Sequence, residues 1–326
     1  MYYNRTLTGS FANLLKPNGD LRWLFDLVKL HQELDFLTGS NKSGYWISVY
    51  RGLGRLLRIR PTSNPKEIKI DAHPAYEELD PSLYGRKGTN ENFSTKFIDL
   101  VKKVSENQKF FSHYNNKKEG YYQNAFSRRY GICGKADDEF VILDKEAVIG
   151  YENQAEKDSI LLPIQQDYQA LLKDLSQSYS QSNRYGKNTR KKATGNELDF
   201  IALNKNGDIL LIEFKDGKNP SGIYLSPFQI GGYYDLWTGF PKLPLKISLE
   251  RLAKQKQEIG LINPDWKIPK PNRIIPVLII SEYNYKSTAK KKFEEVMDHL
   301  RYWKGTSVLK DLQTYNFSLQ DGLTPW

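Results

Sequence analysis

The sequence predicts an α/β fold in two domains, an N-terminal α+β accessory domain over residues 1–150 and a mixed sheet flanked by helices over residues 151–326. Three observations carry this. The 326 residues exceed the roughly 250–300 at which a single core stops growing. Hydrophobic residues make up 39% of the chain and aromatic residues 13%, enough to fill two cores and too much for a disordered chain. Past residue 150, strand-like and helix-like periods alternate along the chain.

In the first domain, Trp23, Leu27, Leu30, Leu34 and Leu37 recur in steps of three and four, so residues 1 to about 45 read as largely helical, with Gly39 and Ser40 stopping the pattern. WISVYRG, GRLLRIRP and KEIKIDAHP are short β-branched and aromatic runs broken by Gly or Pro, the pattern of a small antiparallel sheet. Helical spacing returns from Phe93 to Phe111, and NNKKEG reads as a loop. EFVILD and AVIGYE then flank Lys145 and Glu146 as a hairpin. In the second domain a helix over LLPIQQDYQALLKDL leads to a basic connector and two strong strands, ELDFIALN and DILLIEFK. A helix from SPFQ, the strand RIIPVLII, a helix from Ser287 to about Trp303 and the segment VLKDLQTYNFS close the chain.

Charge narrows the partners. Lys and Arg number 48 against 38 Asp and Glu, a net +10, so polyanions are attracted and nucleic acid is the first partner to expect, DNA ahead of RNA. The single Cys133 excludes an intramolecular disulfide, and four scattered histidines show no zinc-ligand spacing. No P-loop, dinucleotide or Ser/His/Asp signature is present. The first residues lack a signal-peptide pattern, and the best apolar stretch, Leu21 to Leu30, is broken by Arg22, Asp26 and Lys29. A cytoplasmic chain without a membrane anchor is expected.

The chemistry concentrates in GNELDFIALNKNGDILLIEFKDG. Alternate strand residues share a face, so Glu213 and Lys215 point the same way. Whether Asp199 joins them depends on the turn. A three-residue loop Lys205-Asn206-Gly207 pairs Asn204 with Asp208 and therefore Asp199 with Glu213; a two-residue Asn206-Gly207 turn puts Asp199 on the opposite face. Both faces of the hairpin are otherwise apolar, and ionisable groups at the end of a covered sheet are costly unless they bind something. A hard divalent cation suits such an oxygen set.

The D-x13-E-x-K pattern across two strands resembles the PD-(D/E)XK nuclease superfamily, the restriction endonuclease-like fold, over about residues 155–285. The resemblance implies that Asp199, Glu213 and the Phe214 carbonyl hold Mg²⁺ or Mn²⁺, and that Lys215 positions or activates the attacking water. It also implies a helical acid before the first core strand, for which Asp167 and Glu156 are the candidates. Gln229 and Tyr233, four apart on the helix that starts at SPFQ, resemble the Q-x-x-x-Y motif of the RecB-type branch, with Gln229 in a catalytic and Tyr233 in a nucleic-acid-contacting role. The fuller string ELDFIALN…LLIEFKDGKNPSGIYLSPFQ looks like a group of bacterial hypothetical proteins. Gly231 and Gly232 inside that helix cost about 2 kcal/mol relative to alanine, which points to close packing or irregularity there.

Other acid-x-lysine triplets lack this company: Glu67-Ile68-Lys69 reads as an exposed strand face with cross-strand charge pairing, and Asp216-Gly217-Lys218 and Asp265-Trp266-Lys267 as incidental. Arg184, Lys187, Arg190, Lys191 and Lys192 lie just before the first strand of the hairpin and are expected to track phosphates. Lys286, Lys290, Lys291 and Lys292 form a second cluster. The reading is a metal-dependent nuclease in a repair, restriction or phage-defence context. Its rival is an inactive nuclease-fold module that binds nucleic acid or protein. Residues 1–150 resemble nothing recognised and are left to contact a second copy of the chain or a protein partner.

Overall fold

A computed structural model describes residues 1–178, 195–304 and 309–326. The protein is α/β, with one antiparallel and one mixed sheet, each accompanied by helices. The chain divides into two compact units.

The first unit comprises Asn4–Leu143 and Ser248–Ile268. It opens with helices α1 (Gly9–Asn13) and α2 (Arg22–Leu30). Strands β1 (Leu34–Asn41), β2 (Gly44–Arg51), β3 (Gly54–Pro61) and β4 (Glu67–Asp71) follow, then α3 (Pro74–Glu77), β5 (Gly85–Gly88), α4 (Ser94–Glu106) and α5 (Glu119–Arg129). The five strands form an antiparallel sheet in sequence order. Leu24, Phe25 and Val28 of α2 and Phe97, Leu100 and Val104 of α4 share one core with Ile47, Val49, Leu57 and Ile59 of the sheet. Each such side chain contributes about 1.5–3 kcal/mol by leaving water.

The helical expectation for residues 1–45 holds only in part. Leu34 and Leu37 belong to β1, because α2 ends at Leu30 and residues 34–41 pair with 44–51. Gly39 is not a stop. It lies opposite Trp46, and a β-carbon there would come within 2.6 Å of the indole, so the glycine seats a cross-strand ring. The helix α5 has no counterpart in the sequence reading because polar residues, Gln123, Asn124, Ser127 and Arg128, are buried in it beside Tyr122 and Phe126 and blur the apolar period. Arg128 donates to the carbonyls of Val28 (2.8 Å) and Lys29 (2.9 Å), satisfying acceptors that the end of α2 leaves open.

The second unit comprises Met1–Tyr3, Asp144–Ile247 and Pro269–Trp326. Strand β6 (Phe140–Val148) crosses into it from the first unit, followed by α6 (Gln154–Ser178), β7 (Glu197–Asn204), β8 (Ile209–Asp216), α7 (Pro220–Tyr224) and α8 (Ser226–Thr238). Helix α9 (Lys242–Glu258) crosses back; β9 (Ile274–Ser281), α10 (Ala289–Lys304), β10 (Gln313–Ser318) and β11 (Gly322–Pro325) complete the second unit. The sheet order is β11-β10-β9-β8-β7-β6, with β7 antiparallel to β8 and β8, β9 and β10 mutually parallel. The expected hairpin around Lys145 is instead one continuous strand, β6, and its irregularity is confined to Glu146, which has φ +54°. No helix was expected where α9 lies. Pro244 is accommodated because it sits in the first turn, where a backbone N–H has no intrahelical acceptor to lose. Among the described residues no helix is long and apolar enough to cross a membrane.

Helix α8 lies on β8 and β9, and α6 packs on α8. Gly231 marks that contact, since a β-carbon there would meet the Tyr168 ring of α6 at 2.5 Å. The Tyr168 hydroxyl donates to Asp235 Oδ2 at 3.0 Å and fixes the pair of helices. Gly231→Ala is therefore expected to lower the denaturant midpoint. Overpacking of about 1–3 kcal/mol exceeds the just under ~1 kcal/mol that alanine gains in helix propensity. A raised midpoint would show that the helices are not in close contact.

Candidate active site

The hairpin β7–β8 is set by its turn. Leu203 pairs with Ile209, and the Asn204 N–H donates to the Asp208 carbonyl at 3.1 Å, so the loop is the three-residue Lys205-Asn206-Gly207. Gly207 has φ +82°, and a β-carbon on it would lie 2.1 Å from the Lys270 carbonyl oxygen. Asn204 Oδ1 accepts the N–H groups of Asn206 (3.0 Å) and Asp208 (2.8 Å), while Arg273 Nε donates to Asp208 Oδ1 at 2.8 Å. Of the two registers open to the sequence, this is the one that brings Asp199 opposite Glu213.

The two strands differ in exposure. Every residue of β8 is buried, whereas Asp199 of β7 is only partly so. Asp199 Oδ2 accepts the Phe214 N–H at 2.7 Å, which pins its carboxylate between Glu213 and Lys215 in the sequence of the neighbouring strand. Glu213 is 2% exposed and Lys215 5%, and the ammonium donates to Glu213 Oε1. Burial first, and the Glu213 carboxylate second, push Asp199 up to about 7; Lys215, the Phe214 N–H and Lys145 pull in the opposite direction.

Lys145 is the residue that the sequence reading missed. It lies on β6, which borders β7 in the sheet, and is 3% exposed. Its electrostatic effect on Asp199 gives the site two ammonium groups against two carboxylates. Its neighbour Asp144 is also buried and accepts the Tyr3 hydroxyl at 2.8 Å. The available signal was a charged pair, Asp144-Lys145, inside the apolar run FVILDKEAVI, which reads equally well as a turn.

The remaining candidates are dispersed. Glu156 bonds the Met1 amine and accepts the Glu152 N–H at 2.6 Å, holding the entry to α6. Asp167 lies on the exposed side of α6. Among the described residues no three His, Cys, Asp or Glu side chains converge on one point that could hold a metal ion, so neither acid joins Asp199 and Glu213. Gln229 is half-buried on α8. Tyr233, one turn on, is buried, and its hydroxyl donates to the Glu197 carbonyl at 2.7 Å, tying α8 to the start of β7 instead of presenting a ring on the surface. Arg184, Lys187, Arg190, Lys191 and Lys192 lie outside the described residues. In the first unit, Glu67 pairs diagonally with Arg86 of β5, which lies opposite Lys69, at 3.3 Å, the cross-strand charge pairing expected of that triplet.

Comparison with known proteins adds no relative: no family model matches the chain, and neither a curated protein nor a solved structure matches it.

Proposed function

We propose that the second unit is a metal-dependent nuclease of the PD-(D/E)XK type, hydrolysing phosphodiester bonds in DNA. The observation that carries this is the register of β7 and β8, which gathers Asp199, Glu213 and Lys215 from two strands at one place in a buried sheet. The antiparallel β7–β8 pair, β9 parallel to β8 and the helix α8 packed on β8 and β9 support this reading, since a restriction endonuclease-like core is a mixed sheet flanked by helices. A partly buried carboxylate raised to about 7 beside a second carboxylate is a poor structural ion pair and a common feature of working sites.

Asp199, Glu213 and the Phe214 carbonyl offer an all-oxygen set of the kind Mg²⁺ or Mn²⁺ takes, and the two clustered carboxylates gain by its charge. When bound, such an ion supplies charge neutralisation at a phosphate and acidifies a water. The chain's own contribution is preorganisation. Lys215 holds a positive charge, desolvated and fixed on β8, where negative charge develops on the reacting phosphate. The Phe214 N–H fixes one oxygen of Asp199, and Lys145 opposes its desolvation.

A second reading is a nucleic-acid- or protein-binding module without catalysis. What favours it is the closed Glu213–Lys215 pair together with the lack of a third acid among the described residues. Incubation of the full chain with circular and linear DNA, with and without Mg²⁺, separates the two. Mg²⁺-dependent cutting of the circle by the wild type and by Glu67→Ala is expected. Cutting that persists in EDTA, or none with any divalent metal, would overturn the nuclease reading.

A further inference from the structure

Strands β8 and β9 run parallel, with Lys215 beside Ile280 and Asp216 beside Ser281, so the chain leaves both at the same end of the sheet, just past Lys215. The Gly217 N–H donates to the Ser281 carbonyl at 2.8 Å, closing that end. Ligands of sheets with parallel strands bind outside such carboxyl ends. What emerges there from β9 is a rigid turn. The Tyr283 N–H donates to Asn316 Oδ1 at 2.8 Å, and its hydroxyl donates to the Ser287 carbonyl at 3.2 Å while accepting the Lys290 N–H at 3.2 Å. Asn284 Oδ1 accepts the Lys286 N–H at 3.0 Å, and the Asn284 carbonyl accepts from Ser287 at 2.8 Å.

This turn presents one aromatic ring to solvent. Tyr285 is 67% exposed and stands edge to face with the buried Tyr283, ring centroids 5.2 Å apart. Lys286, Lys290 and Lys291 of the same turn and the start of α10 are exposed, as is Lys218, just past β8. Lys290 Nζ lies 5.4 Å from the Trp326 ring centroid and Lys292 Nζ 5.1 Å from that of Tyr224, so aromatic faces hold part of this cationic group in place. Residues 285–291 themselves include no acid. Glu282 Oε1 accepts the Leu319 N–H at 3.0 Å, and Glu294 and Glu295 follow the first turn of α10, which has no acid. An exposed tyrosine is ordinary, and so is a surface lysine. An open ring on a hydrogen-bonded turn that also carries exposed lysines, past the sheet end that bears Lys215, has the two components that bind an unpaired nucleic-acid strand: a stacking face and phosphate-neutralising charge.

We infer that residues 285–291 are a single-strand landing surface for the site, with Tyr285 stacking a base and Lys286, Lys290 and Lys291 contacting phosphates. This rests on the nuclease reading of Asp199, Glu213 and Lys215. The test is fluorescence anisotropy of a labelled oligo-dT of about twelve nucleotides, within the range of known strand-binding sites, on the full chain in EDTA. Tyr285→Ala is expected to weaken binding by roughly tenfold, Tyr285→Phe to bind like the wild type, and a blunt duplex of equal length to be little affected by either. The triple change of Lys286, Lys290 and Lys291 to Gln should flatten the slope of log K against log salt by about 2, the release of three counterions from a single strand. Thermal melts of each variant establish that the fold is kept. If Tyr285→Ala and the lysine triple bind oligo-dT like the wild type while Lys215→Ala no longer cleaves, this surface is refuted and the site stands. Equal losses on duplex and single strand refute the stacking role. A wild type that neither binds nor cleaves any oligonucleotide brings down the site reading itself, and the surface with it.

Discussion

Lys215→Ala should keep nucleic-acid binding within several-fold of the wild type and lose about 100-fold or more in cleavage rate, the scale for removing a preorganised charge from a transition state. The geometry dictates a second effect. Lys215 and Glu213 are both buried and bonded to each other, so alanine leaves an unpaired buried carboxylate and costs on the order of 3–5 kcal/mol of stability in the metal-free protein. Lys215→Gln separates the two effects, because an amide can still donate to Glu213 but carries no charge. Rate measurements on Lys215→Gln beside its melting curve decide the matter. A variant that is folded, binds DNA and cleaves at the wild-type rate would show that the charge has no catalytic duty.

Asp199→Asn should abolish cleavage and, in EDTA, stabilise the protein at pH 8. The folded carboxyl titrates at about 7, above the roughly 3.9 of an unfolded aspartate, so between these values the native state holds a proton that the unfolded state has released. The wild type therefore loses stability as pH rises from about 4 to about 7 and is level above, on the order of a few kcal/mol in all. Asparagine cannot ionise, yet its Oδ1 can still accept the Phe214 N–H. Melting temperatures of the two proteins should converge near pH 4 and separate by pH 8, with the variant higher. Parallel curves across that range would mean that Asp199 is solvated and ordinary. The stability gained by removing a functional carboxylate is the usual signature of a site that works against the fold around it.

How much of this was legible in the sequence depended on the range of the interaction involved. The β7–β8 register could be narrowed to two choices because Asn204, Gly207 and Asp208 act on one another within five residues. The same locality exposed β2, β3 and β4, whose Gly and Pro punctuation is written beside them. Leu34 and Leu37 deceived because their spacing suits a helix, and only pairing with β2 shows that Gly39 makes room for Trp46. Helix α5 had only Tyr122 and Phe126 as an apolar stripe to read, the rest of what it buries being largely polar: Gln123, Asn124, Ser127 and Arg128. Lys145 was hidden for a different reason. It reaches Asp199 only because β6 borders β7, two strands separated in the chain by the 25-residue helix α6, and no local period records that adjacency.

Strand β6 also governs how this chain can be cut. A fragment beginning at residue 151 would discard β6, an edge strand of the six-stranded sheet, with the Lys145 ammonium and the Met1 amine that bonds Glu156. Its β7 would present a bare row of N–H and C=O groups, the template on which sheets of separate molecules join. The first unit has the converse problem, since residues 248–268 return to it through α9 and would be missing from any N-terminal fragment. Neither unit is thus a cassette that a single cut releases: recombination or gene fusion at residue 150 would part the second sheet from β6 and the first unit from residues 248–268.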